Sequence, residues 1–563
     1  MMTERSRPPV DTSRPHLYDP DDLMVVHDIA QSHWRKASIP PVNRWAEYLD
    51  AEASSRDDIY RRLGLVKVHM GVGDANVGIL HDELISGIDL LVSETRRHTG
   101  TTFGLTMADA EELFQYINNF PGKLVDQALA WMTSTHEQLK GANIEVETIA
   151  GLHSSFPERS LETVQEWMRQ RPQRILDALI NMTPDVGFPY GKMTGWGPAL
   201  AAHKTFFQHH CGVEARDHFC MHAGDRNAVF HATHSVREYM EASKRPKFGL
   251  ITPSWGTYEV IITGYYGPDA LVTLECPNGI PDSEKVDKFL TENPDVGCLI
   301  MCNPNNPSGD VFGSSRLVNL LQVLYKHQVP AISDELYMLF VYDREHRSLA
   351  RAAAELWKSD RHHDVGKWAA NNIMVLGVGV QKVVGSGKRC SAAWIPNTYW
   401  RSRFVSSQGA SAGQPAILSQ AISTSVINSR GYVRGYTEMK LRRDAMLEML
   451  ANLKTELAET PFTVEHSSGQ GAFYLAVYFN GLSGMQYTPN LNGEGKVTIT
   501  SSEDVAMWLV DQAAVIGSPA STALITDPRF IRLSYGNLQR DQIPVAGRQI
   551  GAALKALAQM NGY

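Results

Sequence analysis

The sequence predicts an α/β protein with a mostly parallel sheet flanked by helices, a smaller α+β domain and a helical insertion. Three observations predict it. From about 205 to 400, helix-like segments alternate with short apolar runs, the rhythm of parallel strands joined by helical crossovers. From about 80 to 185 the apolar positions recur at helical spacing instead. After a long charged amphipathic stretch at 430–455, two strand-like runs, GAFYLAVYF and FIRLSYG, close the chain.

Taken in order, residues 1–25 read as a flexible arm. Their start, MMTERSRPPVDTSRPHLYDPDD, is polar and Pro-rich and lacks the apolar core of a signal peptide. Residues 26–75 read as the N-terminal segment of the small domain, a helix-like stretch followed by VKVHMGVGD, a short strand and a Gly turn. The insertion, 76–185, carries ADAEELFQYINNF, KLVDQALAWM and LETVQEWMRQRPQRILDALI, separated by turns such as Phe120-Pro121-Gly122 and Phe156-Pro157. Its aromatics, Phe114, Tyr116, Trp131 and Trp167, fall at helical spacing and read as core or subunit contacts. Residues 186–425 form the large domain, with FGLIT, VIITGYY, ALVTLE, GCLIMC, VPAIS, NIMVLGVG and SAAWI as its strand-like runs. Residues 426–563 complete the small domain.

Composition narrows the function. The 563 residues leave room for two or more domains, and the net charge of −8 gives no basic field for nucleic acid or an anionic membrane. No uncharged apolar run is long enough to span a bilayer. Six cysteines without a CxxC pair do not make a disulfide framework, and Cys298 and Cys302 read as core residues. This fits a reducing cytoplasm. The pairs His209-His210 and His362-His363 are poor chelates, because adjacent helical side chains point about 100° apart; no metal is expected.

Ligand sites in parallel sheets lie at the carboxyl ends of strands. GCLIMC is followed by Asn303-Pro304-Asn305-Asn306-Pro307-Ser308-Gly309, a rigid polar turn. VPAIS is followed by Asp334 and, three residues on, Tyr337. NIMVLGVG leads into GVGVQKVVGSGKRC, with Lys382, Lys388 and Arg389. FGLIT is followed by Pro253-Ser254-Trp255. Arg532 lies within the late apolar run IRLSYG.

Each piece is common alone, but in this order they resemble the class I/II aminotransferases, the pyridoxal 5'-phosphate (PLP) enzymes typified by aspartate aminotransferase. The resemblance covers about 60–75 and 185–563. It implies that Lys382 is the Schiff-base lysine and the general base, acting on an α-amino acid through an external aldimine and a quinonoid. Asp334 would hold the pyridinium charge. Asn306 and Tyr337 would hold the phenolic oxygen, and Trp255 would stack on the ring. The phosphate loop would be His222 to Ala228, with Gly224, Asp225 and Arg226 as its residues and Arg389 as its arginine. A carboxylate at Asp225 fits there only if it points away, for example as an N-cap. Tyr190 would reach the phosphate of a neighbouring subunit, which implies a homodimer or higher homo-oligomer with shared sites. Gly71 and Arg532 would bind the substrate, the arginine taking its carboxylate.

The sequence departs from the family at two places. Gly379-Val380-Gln381 precede the lysine where Ser or Thr is usual, and Arg389 stands one residue closer than usual. The helical insertion resembles that of aspartate beta-decarboxylase, as does the pattern Arg532-Leu-Ser534-Tyr-Gly-Asn537-Leu538. Amino transfer is still the first expectation, because it is the common reaction of the fold. The alternative is decarboxylation, β/γ-elimination or carbon–carbon bond formation, for example on S-adenosylmethionine, in natural-product biosynthesis.

Overall fold

The computed structural model describes residues 45–71, 192–214, 218–491 and 495–563. The arm, the insertion and Tyr190 lie outside the described residues, as do the four insertion aromatics.

After the helices Trp45–Ser54 and Asp57–Leu63 comes β1 (Val68–His69). The large sheet is then built from β2 (Phe219–His222), β3 (Lys247–Thr252), β4 (Leu271–Glu275), β5 (Val296–Cys302), β6 (Ala331–Asp334), β7 (Ile373–Val378) and β8 (Ser391–Trp394). Their order is β2-β8-β7-β6-β5-β3-β4. Only β8 runs antiparallel to its neighbours. β5 and β7 are buried along their whole length, as strands covered by helices on both faces must be. Their near-continuous apolar composition made them legible.

One run was misread. VIITGYY lies in the helix Thr257–Tyr266, between Gly256 and Gly267. Its Val260 and Tyr265 are exposed although apolar. They blur the helical period, and a short apolar run does not by itself distinguish strand from helix.

The C-terminal part follows the helix Tyr432–Glu456. It contains β9 (Thr463–His466), β10 (Tyr474–Asn480), β11 (Gln486–Tyr487), β12 (Val497–Thr498), β13 (Val515–Ile516), β14 (Ser518–Pro519) and β15 (Phe530–Ser534), and ends with the helix Gln542–Met560. Four of these strands form a sheet of order β14-β15-β10-β9. β1 pairs in parallel with β13, Val68 opposite Val515, so the N-terminal segment packs with the C-terminal part. All six cysteines are buried free thiols. Among the described residues, no helix is long and apolar enough to cross a membrane.

Candidate active site

A cavity of about 470 Å³ opens at the carboxyl ends of the parallel strands. Ten of the residues singled out in the sequence line it: Gly71, Asp225, Arg226, Trp255, Asn306, Asp334, Tyr337, Lys382, Arg389 and Arg532. Gly224 is not among the lining residues but lies against Arg389, which is, and Tyr190 lies outside the described residues.

The polar turn after β5 divides the work among its asparagines. Asn303 Oδ1 accepts from Phe312 N at 3.0 Å. Asn305 donates to Pro253 O at 3.1 Å and accepts from Ser308 N at 3.1 Å. These two hold the backbone. Asn306 is left to face the cavity, where its Nδ2 donates to Tyr337 Oη at 3.4 Å and its Oδ1 accepts from Arg532 Nη1 at 3.2 Å.

Asp334 ends β6. Its Oδ2 accepts from Tyr258 Oη at 2.7 Å and its Oδ1 from Leu336 N at 3.2 Å. Burial raises its pKa above the ordinary carboxylate range and Asp225 adds to the rise, while Tyr258 opposes it. The neighbouring Glu335 faces away, accepting from Ser333 Oγ and Leu349 N at 2.9 Å and from His346 Nε2 at 2.9 Å. That anchor fixes the turn from which Asp334 and Tyr337 project.

Lys382 sits in the short helix Gln381–Val384 just beyond β7. Its Nζ is 5.7 Å from the Tyr337 ring centre and 5.8 Å from that of Phe473. The approach depends on Gly377, where a methyl group would lie 2.6 Å from Leu336 Cα. Lys388, the second lysine of the stretch, is not among the residues that line the cavity.

Gly224, not Asp225, is the N-cap of the helix Asp225–Ala242. Its φ is +82°, and a methyl group there would lie 2.6 Å from Arg389 Cζ. The guanidinium therefore rests against bare backbone at a helix N-terminus. Asn227 N is already used, donating to Gly224 O at 3.0 Å, which leaves the amides of Asp225 and Arg226 without a backbone acceptor among the described residues. Asp225 does not point away as an N-cap would; its carboxylate is buried in the cavity wall. The Trp255 turn is held by Ser254 N to Ala523 O at 3.0 Å and Gly256 N to Thr522 O at 3.1 Å. Arg226 Cζ lies 5.6 Å from the Trp255 ring centre.

Arg532, on β15, donates through Nη2 to Gly71 O at 2.8 Å and Ser518 Oγ at 3.1 Å. Its guanidinium lies 4.7 Å over the Tyr474 ring. Its Nε is buried and has no hydrogen-bond partner among the described residues.

A carboxylate, a phenol with an amide, an amine and an arginine against a helix N-terminus thus converge in one cavity. The sequence model of the family "Aminotransferase class I and II" matches residues 233–550, more than half of the chain. The chain belongs to the class I and II aminotransferases. An aspartate aminotransferase of Rhizobium meliloti is 26% identical over 378 residues, 66% of this chain and 82% of that protein. An aspartate/prephenate aminotransferase of Thermus thermophilus is 27% identical over 211 residues, 36% of this chain and 50% of that protein. Among solved structures, the Rhizobium meliloti aspartate aminotransferase aligns with a TM-score of 0.59 at 18% identity, covering 93% of this chain and 98% of that chain. A Thermus thermophilus aspartate aminotransferase with maleate aligns at 0.58 and 15% identity, covering 92% and 100%. This aminotransferase-family chain is a PLP-dependent transferase.

The cavity fits that cofactor on its own chemistry. The Gly224 cradle would be filled by any Cβ, and Arg532 Nε is an unpaired buried donor. The sequence did not single out Tyr258 or Tyr474, and it marked Gln381 only as part of the departure before the lysine; all three line the cavity. Tyr474 Oη is 3.2 Å from Tyr337 Oη. Tyr258 stood within PSWGTY, three residues beyond Trp255, one helical turn away; that spacing was its available signal.

Proposed function

We propose that the chain binds PLP in this cavity and transfers the amino group of an α-amino acid. The observation that carries the reading is the convergence of Lys382, Asp334 and Arg532 on one cavity. When bound, the cofactor supplies an electron sink for the charge left when a bond at Cα breaks.

The residues of the chain do the rest. Lys382 Nζ would anchor the cofactor and, when free, would take the Cα proton of the substrate. Asp334, held by Tyr258 and Leu336, keeps a positive charge on the ring nitrogen. Tyr337 and Asn306 donate to the ring oxygen, and Trp255 covers one ring face. Gly224, the first-turn amides of Asp225 and Arg226, and the Arg389 guanidinium receive the phosphate. Arg532 takes the substrate carboxylate, its unpaired Nε offering the first donor. The pairing of β1 with β13 supports assigning residues 26–75 and 426–563 to one small domain beside the large domain at 186–425. Tyr190 completes the phosphate site from a neighbouring subunit, so the working unit is at least a homodimer. The cytoplasm is its proposed compartment.

A second reading is β/γ-elimination, decarboxylation or carbon–carbon bond formation. Gln381 favours it: the side chain is buried at the cavity, where the family has a hydroxyl nearby, and its Oε1 has no partner among the described residues. Incubation of the PLP-loaded protein with amino acids and S-adenosylmethionine in deuterated water separates the readings. Keto acid with Cα deuterium exchange and without free ammonia supports amino transfer, because β/γ-elimination also yields a keto acid but releases ammonia. Release of CO2 or methylthioadenosine without keto acid contradicts it and supports the second reading.

A further inference from the structure

The N-terminus of the helix Asp225–Ala242 carries a carboxylate where the proposed reading seats a phosphate, and the inference here rests on that reading. Asp225 is only 2% exposed. Neither of its carboxylate oxygens has a hydrogen-bond partner among the described residues. A first-turn carboxylate ordinarily complements the helix dipole. Here the same dipole is offered to the incoming anion, so the two negative groups compete for it.

The groups facing Asp225 come from five segments besides its own helix: β2, the lysine helix, the residues before β8, β6 and the end of β5. From β2, His222 Nε2 lies 3.8 Å from Oδ1. Burial pushes that imidazole down to about 4, so it stands neutral at pH 7 and offers no compensating charge. From the lysine loop and the residues before β8, Lys382 and Arg389 attract the carboxylate, while burial, the larger effect, pushes its pKa up. From β6, Asp334 repels it. The thiols of Cys302 and Cys390 are held neutral by burial. Arg226 follows directly on the same helix. A phosphate arriving here draws on Arg389 and the helix N-terminus, and removes the little that stabilises an ionised Asp225.

The geometry points to Asp225 as a proton-carrying anion-binding residue. It takes one proton from solvent as the phosphate arrives and donates the resulting O–H to a phosphate oxygen. No bond other than this O–H is made or broken. The carboxylate then acts as a donor within the anion site, and cofactor capture becomes linked to proton uptake.

Inorganic sulfate is the probe, because it remains a dianion across the working range. Its inhibition constant is measured as a competitor of PLP binding to the full-length apoprotein, at fixed pH values from about 6 to 8.5. Sulfate should bind roughly tenfold more weakly per pH unit wherever Asp225 is ionised in the anion-free protein. Asp225→Asn should abolish that slope and bind sulfate more tightly than the wild type at the alkaline end. Calorimetry of the wild type in two buffers of different ionisation enthalpy should show close to one proton taken up per sulfate, which needs no variant. A slope retained in Asp225→Asn, or no proton uptake by the wild type, overturns the inference and leaves the phosphate site standing. Failure of sulfate to compete with PLP overturns the phosphate site and the inference with it.

Discussion

Tyr258 Oη donates to Asp334 Oδ2 at 2.7 Å in a buried pair that joins the helix Thr257–Tyr266 to the end of β6. The bond opposes the rise that burial imposes on the Asp334 carboxyl. A buried hydrogen bond to a charged group contributes about 1.5–3 kcal/mol. Tyr258→Phe should therefore lower kcat/KM about tenfold or more, and Asp334→Ala should lower it further. Steady-state kinetics on the best amino-acid substrate checks the order; equal activity of Tyr258→Phe and wild type would show that the phenol is dispensable.

Lys382→Ala removes both the anchoring amine and the base. Loss of the proton transfer alone should lower turnover about 10²- to 10⁴-fold. Exogenous methylamine should restore part of the rate at saturating substrate. Single-turnover measurements distinguish this from simple loss of cofactor affinity.

Gly224→Ala tests the phosphate cradle. The position requires φ +82° and has a guanidinium 2.6 Å from where the methyl would stand. Positive φ alone costs about 1 kcal/mol for a residue with a side chain, and Arg389 must also move. PLP binding should become at least about fivefold weaker, while pyridoxal, which lacks the phosphate, should lose little.

Arg532→Lys keeps the charge and loses the planar fork. The lysine amine reproduces at most part of the contacts to Gly71 O, Ser518 Oγ and Asn306 Oδ1. KM for an α-amino acid should rise about tenfold to a hundredfold with a smaller change in kcat. The corresponding amine without a carboxylate should show no such change.

Acid should destabilise the apoprotein. Burial holds His203, His210, His222 and His231 at about 4. Below the ordinary histidine value, about 6.5, the unfolded chain binds more protons at these positions than the folded one. Their contribution is present above about pH 6.5 and is lost as pH falls toward about 4. Asp225 and Asp334, raised by burial, act in the opposite sense over part of the same range. Four groups outweigh two, so the urea midpoint should fall on acidification, and more steeply in Asp225→Asn.

The sequence made most of the large sheet legible because its central strands are buried on both faces and read as plain apolar runs. VIITGYY failed for the same reason, since an apolar helix with exposed Val260 and Tyr265 looks like such a run. The residues that line the cavity were readable where they lie at or just beyond strand ends, as Asn306, Asp334 and Lys382 do. Tyr474 was not, because its contact with Tyr337 spans 137 residues and is made by folding alone. The orientation of Asp225 was not legible, because it depends on which residue caps the helix. The cap belongs to Gly224, whose positive φ turns the following carboxylate into the cavity wall.

The attachment of the cofactor tests the account most directly. The PLP-loaded protein is reduced with borohydride, digested and mapped by mass spectrometry. The account predicts a pyridoxyl group on Lys382. A pyridoxyl group on Lys388 or on any other lysine, with Lys382 unmodified, would contradict it.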